Sequence, residues 1–181
     1  MLRTAVREGT ELGAMAKQVM DAGGLVGDEI MIGLVDQRLS ALDASTRGYI
    51  LDGFPRTIDQ ADALDRIAGE RRIDVVLDLN VPREIVLERI SARRVCRDCG
   101  TNYTASGVVP SPWICDVCGG DVEHRADDTP DAVNRRLDLY ESQTAPLITH
   151  YSKMGLLTVV NGVGHPDYVF KRVCDAVDER R

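Results

Sequence analysis

The sequence predicts an α/β fold, a parallel sheet flanked by helices and interrupted by one small inserted minidomain. Three observations carry this prediction. Short apolar runs rich in branched residues alternate with segments of helical period, the sequence form of strand–helix–strand units. Those runs are near-continuously apolar rather than alternating, as strands covered on both faces are. Residues 95–124 follow neither pattern and gather four of the five cysteines.

The elements follow in chain order. Thr10 suits the N-cap of a helix that places Leu12, Met15, Ala16 and Val19 on one face and ends at Gly23-Gly24. Asp28 suits the cap of a second helix, reaching about Leu42. Gly48–Gly53 (GYILDG) reads as a buried strand, and Thr57 opens a helix with Ile58, Ala61, Leu64 and Ile67 at helical spacing. Asp74–Val81 and Leu156–Asn161 read as two further buried strands. Pro82 and Pro130 suit first-turn positions of helices reaching about Arg94 and Met154, and Pro166 starts the last helix. Pro146 is expected to kink or interrupt the long one.

Composition narrows the class. At 181 residues with 44% hydrophobic content, the chain can bury a real core. A net charge of −7 and a pI near 5.0 argue against a dedicated nucleic-acid binder, whose footprint is basic. No apolar run approaches the roughly 18 residues of a membrane span, and MLRTAVREGT is not a signal peptide. The expected setting is cytoplasmic, with no membrane partner. Arg outnumbers Lys 19 to three, a bias that base composition explains, although Arg grips phosphate bidentately where Lys acts as a point charge.

Cys96-x2-Cys99 and Cys115-x2-Cys118, fifteen residues apart, match the spacing of a zinc site. A two-residue gap lets both thiolates of a pair face one ion, and Gly100 and Gly119 permit the left-handed turn behind each pair. Four thiolates fill a tetrahedron, so the implied Zn²⁺ is structural. Two disulfides or a redox pair are the competing readings; a cytosolic setting disfavours the first, and the second needs only one pair at a helix start. His124 reads as an ordinary surface histidine and Cys174 as a small core residue.

The run Tyr49–Thr57 carries the most chemistry. Apolar residues ending in Asp52 are how a strand delivers a carboxylate to the ligand-binding edge of an open sheet, where Asp52 could order Mg²⁺ through water. Arg56 on the next turn would face the same crevice. Gln60 presents an amide suited to the edge of adenine. A strand ending in Asp is common, so these residues alone leave the reading open.

LDGFPRT at Leu51–Thr57, with Gln60, resembles adenylate kinases of the nucleoside-monophosphate kinase family. Met1–Arg3 is similar to the segment after that family's first loop, and Gly9–Glu29 to its monophosphate-binding helices. The four-Cys stretch resembles the zinc-bearing lid of the long bacterial form. Arg125–Asp128 with Arg135-Arg136 resembles the segment leaving the lid, and Val159–Gly162 the last strand and its loop. The resemblance implies a P-loop-NTPase-like three-layer sandwich with a core of residues 1–94 and 125–181, monophosphate-binding helices at about 1–42, and a zinc-binding lid at 95–124.

It also implies roles. Arg3, Gly24, Leu25, Val26, Gly53, Phe54, Pro55, Arg56, Gln60, Arg125 and Arg136 match the AMP site, and Arg89, Arg93, Asn102, Tyr103 and Gly164 the ATP site. Arg56, Arg93, Arg125 and Arg136 would neutralise the transferring phosphoryl group while Asp52 helps hold Mg²⁺. Arg89 and Arg93, four apart, are expected on one helix face. Gly27 stands where the family usually has Pro. The implied reaction is ATP plus AMP to two ADP in a chain that is monomeric when complete.

One part is missing from the pattern. No Lys here follows a Gly, so the Gly-rich phosphate cradle G-x-x-x-x-G-K-[ST] is not among these 181 residues. The family places it upstream of Met1, within a unit of ~30 residues whose first strand lies mid-sheet between Gly48–Gly53 and Asp74–Val81. The sequence is therefore expected to be truncated, with little or no turnover by the chain as it stands. The alternatives are a non-catalytic remnant that binds AMP or a partner and, at net −7 the least supported, a zinc-ribbon nucleic-acid module.

Overall fold

A computed structural model describes residues 1–22, 26–103, 113–125 and 128–180; the side chain of Arg3 lies outside that description. The first helical pair turns on two glycines. α1 (Leu2–Glu8) closes at Gly9, whose φ of 67° gives a left-handed cap. Thr10 then caps α2 (Glu11–Asp21) as expected, accepting the Gly13 N–H at 3.1 Å. Gly13 permits close approach: a β-carbon there would lie 2.1 Å from the Ala5 carbonyl oxygen. Gly13→Ala is expected to cost roughly 1–3 kcal/mol by overpacking, measured by urea unfolding; unchanged stability would contradict the contact.

α3 (Asp28–Ser40) and α4 (Leu42–Arg47) replace the single helix expected to reach Leu42, because Ala41 turns extended with ψ 144°. The break has a packing cause. Val35 and Leu39 face inward, and a continuous helix would next present Asp43 to the core; the turn presents Ala44 instead. Asp28 is also not the cap. Gly27 holds that position, and the Asp28 carboxylate reaches away to α5 (Ile58–Ala68).

Gly48–Gly53 is corrected too. It forms no strand, and among the described residues it has no ladder partner. Tyr49 and Leu51 pack against the cluster of Val35, Leu39, Phe54 and Leu64, while Ile50 between them is 96% exposed. An apolar run signals burial of alternate side chains, whereas a strand also needs backbone partners.

In the second half β1 (Val76–Asn80), α6 (Arg83–Ala92) and α7 (Pro130–Leu139) fall where expected, and the insert between the two helices, for which no elements were expected, forms β2 (Arg94–Cys96), β3 (Asn102–Tyr103) and β4 (Val122–Glu123). A π-helical turn, Tyr140–Thr144, then interrupts the helix just ahead of α8 (Pro146–Lys153), as Pro146 foretold. β5 (Leu157–Asn161) and α9 (Pro166–Asp178) finish the chain. β1 and β5 pair in parallel: Val76 N–H donates to Leu156 O and Gly162 N–H to Asn80 O, both at 2.9 Å. The strands are less covered than expected, with Leu79 51% and Val159 57% exposed.

Contacts group the chain into two units, Met1–Val76 with Gln143–Leu157, and Leu77–Ser142 with Thr158–Arg181. The first holds clusters around Phe54, around Ala16 with Leu34, and around Tyr151 with Leu147 and Ala61. The second contains the three-stranded antiparallel sheet β3-β2-β4 with its own small core of Cys96, Tyr103, Cys115 and Val122. Among the described residues no helix is long and apolar enough to cross a membrane.

Candidate functional site

Two copies of one turn build the thiol cluster. In each pair the glycine four residues on donates its N–H to the first cysteine's carbonyl, Gly100 to Cys96 at 3.0 Å and Gly119 to Cys115 at 2.9 Å. Both glycines sit at φ 77°, where a side chain would be strained. The Cys96 and Cys115 N–H groups close the same turns onto Thr101 and Gly120 carbonyls. All four sulfurs lie within 4.8 Å of one another. Cys96–Cys118 at 3.4 Å and Cys99–Cys115 at 3.6 Å are far beyond the ~2.05 Å of a disulfide and near the ~3.8 Å edge of a tetrahedron with Zn–S bonds of about 2.3 Å. Four thiols so placed fit a metal ion.

Tyr103 backs this cluster. Its hydroxyl, in a side chain only 9% exposed, lies 3.1 Å from Cys115 Sγ, contacts the Asp116 carboxylate and accepts the Asp116 N–H at 3.2 Å. The hydroxyl is the main cause that lowers the Cys115 thiol to about 6. Cys118 moves the other way: the Gly120 backbone favours its thiolate, but hydrogen bonds with Cys99 and Cys96 outweigh this and push it up to about 12. Crowded thiols divide charge unevenly because like charges disfavour one another. At the root of the insert, Arg94 lies over the Trp113 ring at 5.5 Å and 3.0 Å from His124 Nδ1, so His124 has a definite partner.

Also in the second unit, arginines converge on one carboxylate. Asp128 has a fully buried side chain, gripped bidentately by Arg93 through Nε at 2.8 Å and Nη2 at 2.7 Å. Arg136 Nη1 lies 3.4 Å from the same carboxylate. The Arg93 guanidinium, ahead of the opposing cost of burial, holds the Asp128 carboxyl below its usual range, with the charges of Arg125 and Arg136 adding to the effect. Arg89 points elsewhere: its guanidinium donates to the carbonyls of Gly162 at 3.1 Å and Gly164 at 3.5 Å. The shared helix face expected for Arg89 and Arg93 is not formed, because α6 ends at Ala92 and Arg93 is extended with ψ 137°.

In the first unit, the turn between Asp52 and Gln60 is knitted to α3. Gln60 is 5% exposed, its Oε1 accepting the Arg56 N–H at 2.8 Å and its Nε2 donating to Asp28 Oδ1 at 2.7 Å. The Thr57 hydroxyl donates to Asp28 Oδ2 at 3.1 Å and accepts the Gln60 N–H at 3.2 Å, which confirms Thr57 as the cap of α5. Arg56 is exposed; its Nε donates to the Gly53 carbonyl at 2.8 Å, and the Thr144 hydroxyl from the π-helical turn donates to the Arg56 carbonyl at 2.9 Å. Asp52 is exposed and ends no strand, so the strand-edge delivery expected of it does not hold.

The structure thus gathers Arg93, Arg125 and Arg136 around Asp128, Arg89 with Gly164, and Gly53, Arg56 and Gln60 on one turn. Phe54, 6% exposed, anchors that turn in the core, and Val26 packs on the cluster of Ala16 and Leu34. Asn102 is exposed on β3, while Tyr103 is turned to the thiols. Gly24 and Leu25 lie outside the described residues. Sequence reasoning gave Asp28 only a capping role and Asp128 no role of its own. The signal for Asp128 was present: an acid between Arg125 and Arg135-Arg136 is placed to be their counter-ion.

An open α/β core with arginines gathered on a buried carboxylate and a four-thiol insert defines a phosphate-handling protein. Residues 1–156 match the family profile of adenylate kinase. The adenylate kinase of Methanosarcina acetivorans is 49% identical over 174 residues, covering 94% of this chain and 80% of the relative. That of Carboxydothermus hydrogenoformans is 46% identical, covering 99% and 85%, and that of Methanosarcina barkeri 50%, covering 96% and 81%. The chain belongs to the adenylate kinase family.

Proposed function

We propose that these residues belong to the machinery for reversible transfer of a phosphoryl group from ATP to AMP, giving two ADP, in the cytosol, and that turnover needs the phosphate cradle that is not among these 181 residues. The observation that carries this reading is the arginine cluster, in which Asp128 orients Arg93 and Arg136. Phosphoryl transfer needs little covalent help from the protein; positioning and charge neutralisation do the work. Arg56, Arg93, Arg125 and Arg136 would offset the negative charge of the transferring group. A guanidinium already held in place spends no reorganisation at that moment.

On this reading Arg3, Val26, Gly53–Arg56 and Gln60 serve the AMP side, and Arg89, Gly164 and Asn102 the ATP side. Mg²⁺ enters with ATP, and Asp52 would order its waters. Cys96, Cys99, Cys115 and Cys118 would hold Zn²⁺, which supplies folding energy to the lid and no open coordination position. A closed lid would exclude water that could hydrolyse ATP.

Nucleotide binding tests the site directly. A ligand joining two adenosines through five phosphates is expected to bind more tightly than AMP or ATP alone, and Arg93→Ala to weaken it about tenfold or more. The same affinity in both proteins, or ADP formation from ATP without AMP, would overturn the proposal.

A further inference from the structure

We propose that Asp28 is a positioning residue that fixes the amide orientation of Gln60 and so sets a preference for a 6-amino over a 6-oxo purine monophosphate. The inference rests on the reading that Gln60 faces the base of AMP.

Gln60 is the third residue of α5, and Thr57-x-x-Gln60 has the spacing of a capping box. A capping box accounts for a glutamine oxygen turned back toward the start of its helix, although here it accepts the N–H of Arg56, one residue before the cap Thr57. It does not explain the other end of the amide. Nε2 donates at 2.7 Å to a carboxylate 32 residues away, whose second oxygen is taken by the Thr57 hydroxyl. Asp28 is the first residue of α3, and each of its two carboxylate oxygens accepts one of these hydrogen bonds.

The two partners agree on one orientation. A donor faces Oε1 and an acceptor faces Nε2; a flipped amide would set N–H against NH₂ and oxygen against carboxylate. A primary amide has two hydrogens and two lone pairs, and these contacts use one of each. What remains at the amide is one acceptor beside one donor, with a polarity that Asp28 and the Arg56 backbone define. Adenine presents its 6-amino donor beside a ring-nitrogen acceptor, which complements that pair. A 6-oxo purine puts a carbonyl oxygen where the amino group was, against the lone pair of Oε1. Mismatched buried polar groups are strongly rejected. Only the carboxylate end of this arrangement is a side chain, and so open to substitution.

Binding of AMP and of IMP is measured by calorimetry on the reduced, metal-loaded chain. Asp28→Ala is expected to cut the AMP-over-IMP preference about tenfold, the weight of one lost orienting hydrogen bond. Asp28→Asn, which keeps an oxygen for Nε2, is expected to restore it to within about twofold. Thr57→Ala removes the helix cap and the other tie to Asp28, and should lower the melting temperature while leaving the preference unchanged. That pattern separates positioning from mere support. Asp28→Ala with the wild-type preference, while Gln60→Ala abolishes it, would sink the role of Asp28 alone. If Gln60→Ala leaves AMP binding and the preference intact, the base-reading role of Gln60 falls, and this proposal with it. Hydrogen exchange of the Gln60 side-chain amide in the unaltered chain gives an answer without any variant: slow exchange is expected, and exchange at the rate of a free amide would overturn the proposal.

Discussion

Cys115→Ser is expected to drop bound metal from about one ion per chain to near zero and to unfold the insert while the first unit stays folded. The insert cannot stand on its own core. Among the described residues its core cluster is Cys96, Tyr103, Cys115 and Val122, and its sheet pairs only two or three residues per strand. A unit of that size needs a cross-link or a metal to offset the entropy of ordering it. For small zinc modules apparent metal binding is worth roughly 10–16 kcal/mol, far above what these apolar contacts can supply. Cys115 is the most sensitive of the four positions to test, because it is buried and its sulfur also meets the Tyr103 hydroxyl. Metal released per chain, followed by a chromogenic chelator, reads the first effect. Hydrogen exchange reads the second: protection should vanish in β2, β3 and β4 and persist in α2 and α3. Wild-type metal content in the variant, or unchanged protection in the insert, would refute the assignment.

Replacing Asp128 by alanine is expected to cost roughly 1–3 kcal/mol of stability, measured by denaturant unfolding. Removing one partner of a fully buried pair costs about 3–5 kcal/mol. The figure here is smaller because the Arg93 and Arg136 side chains are 24% and 51% exposed, so water screens the charges left behind. The pair also predicts a pH dependence. Asp128 titrates below an ordinary carboxylate because Arg93 favours its charged form. Its contribution is therefore fully present above the unfolded-state value near 4 and is lost as pH falls through the lower folded-state value. Between pH 5 and pH 2 the wild type should lose more stability than Asp128→Asn, whose amide does not titrate. Thiolate protonation releases metal from both proteins in that range, so their difference isolates the carboxylate. Parallel stability curves for the two chains would show that the ion pair has no such role.

Different parts of the molecule were legible to different degrees. Thr10, Thr57, Pro130 and Pro166 each start a helix where their side chains or rings dictate, because caps and first-turn prolines act within one turn of backbone. The thiol knuckles were readable for the same reason, each being five residues with a glycine at the turn. Misreadings came where a residue had two local options. Asp28 could cap its own helix, and its sequence neighbours favour that; Thr57 and Gln60 claim its carboxylate instead.

The sequence by itself determined the class, most of the helix starts, the cysteine cluster and the family motif around Arg56, all of which depend on patterns a few residues long. Only the tertiary structure decided that Gly48–Gly53 stays unpaired, that Arg93 leaves the helix face of Arg89, and that Asp28 and Asp128 hold the side chains expected to meet the nucleotides. The Arg93–Asp128 and Gln60–Asp28 contacts join residues 35 and 32 positions apart. The physical reason is that a carboxylate's partner, and the burial that gives the pair its strength, are set by which distant segments pack beside it, and no local period encodes that choice.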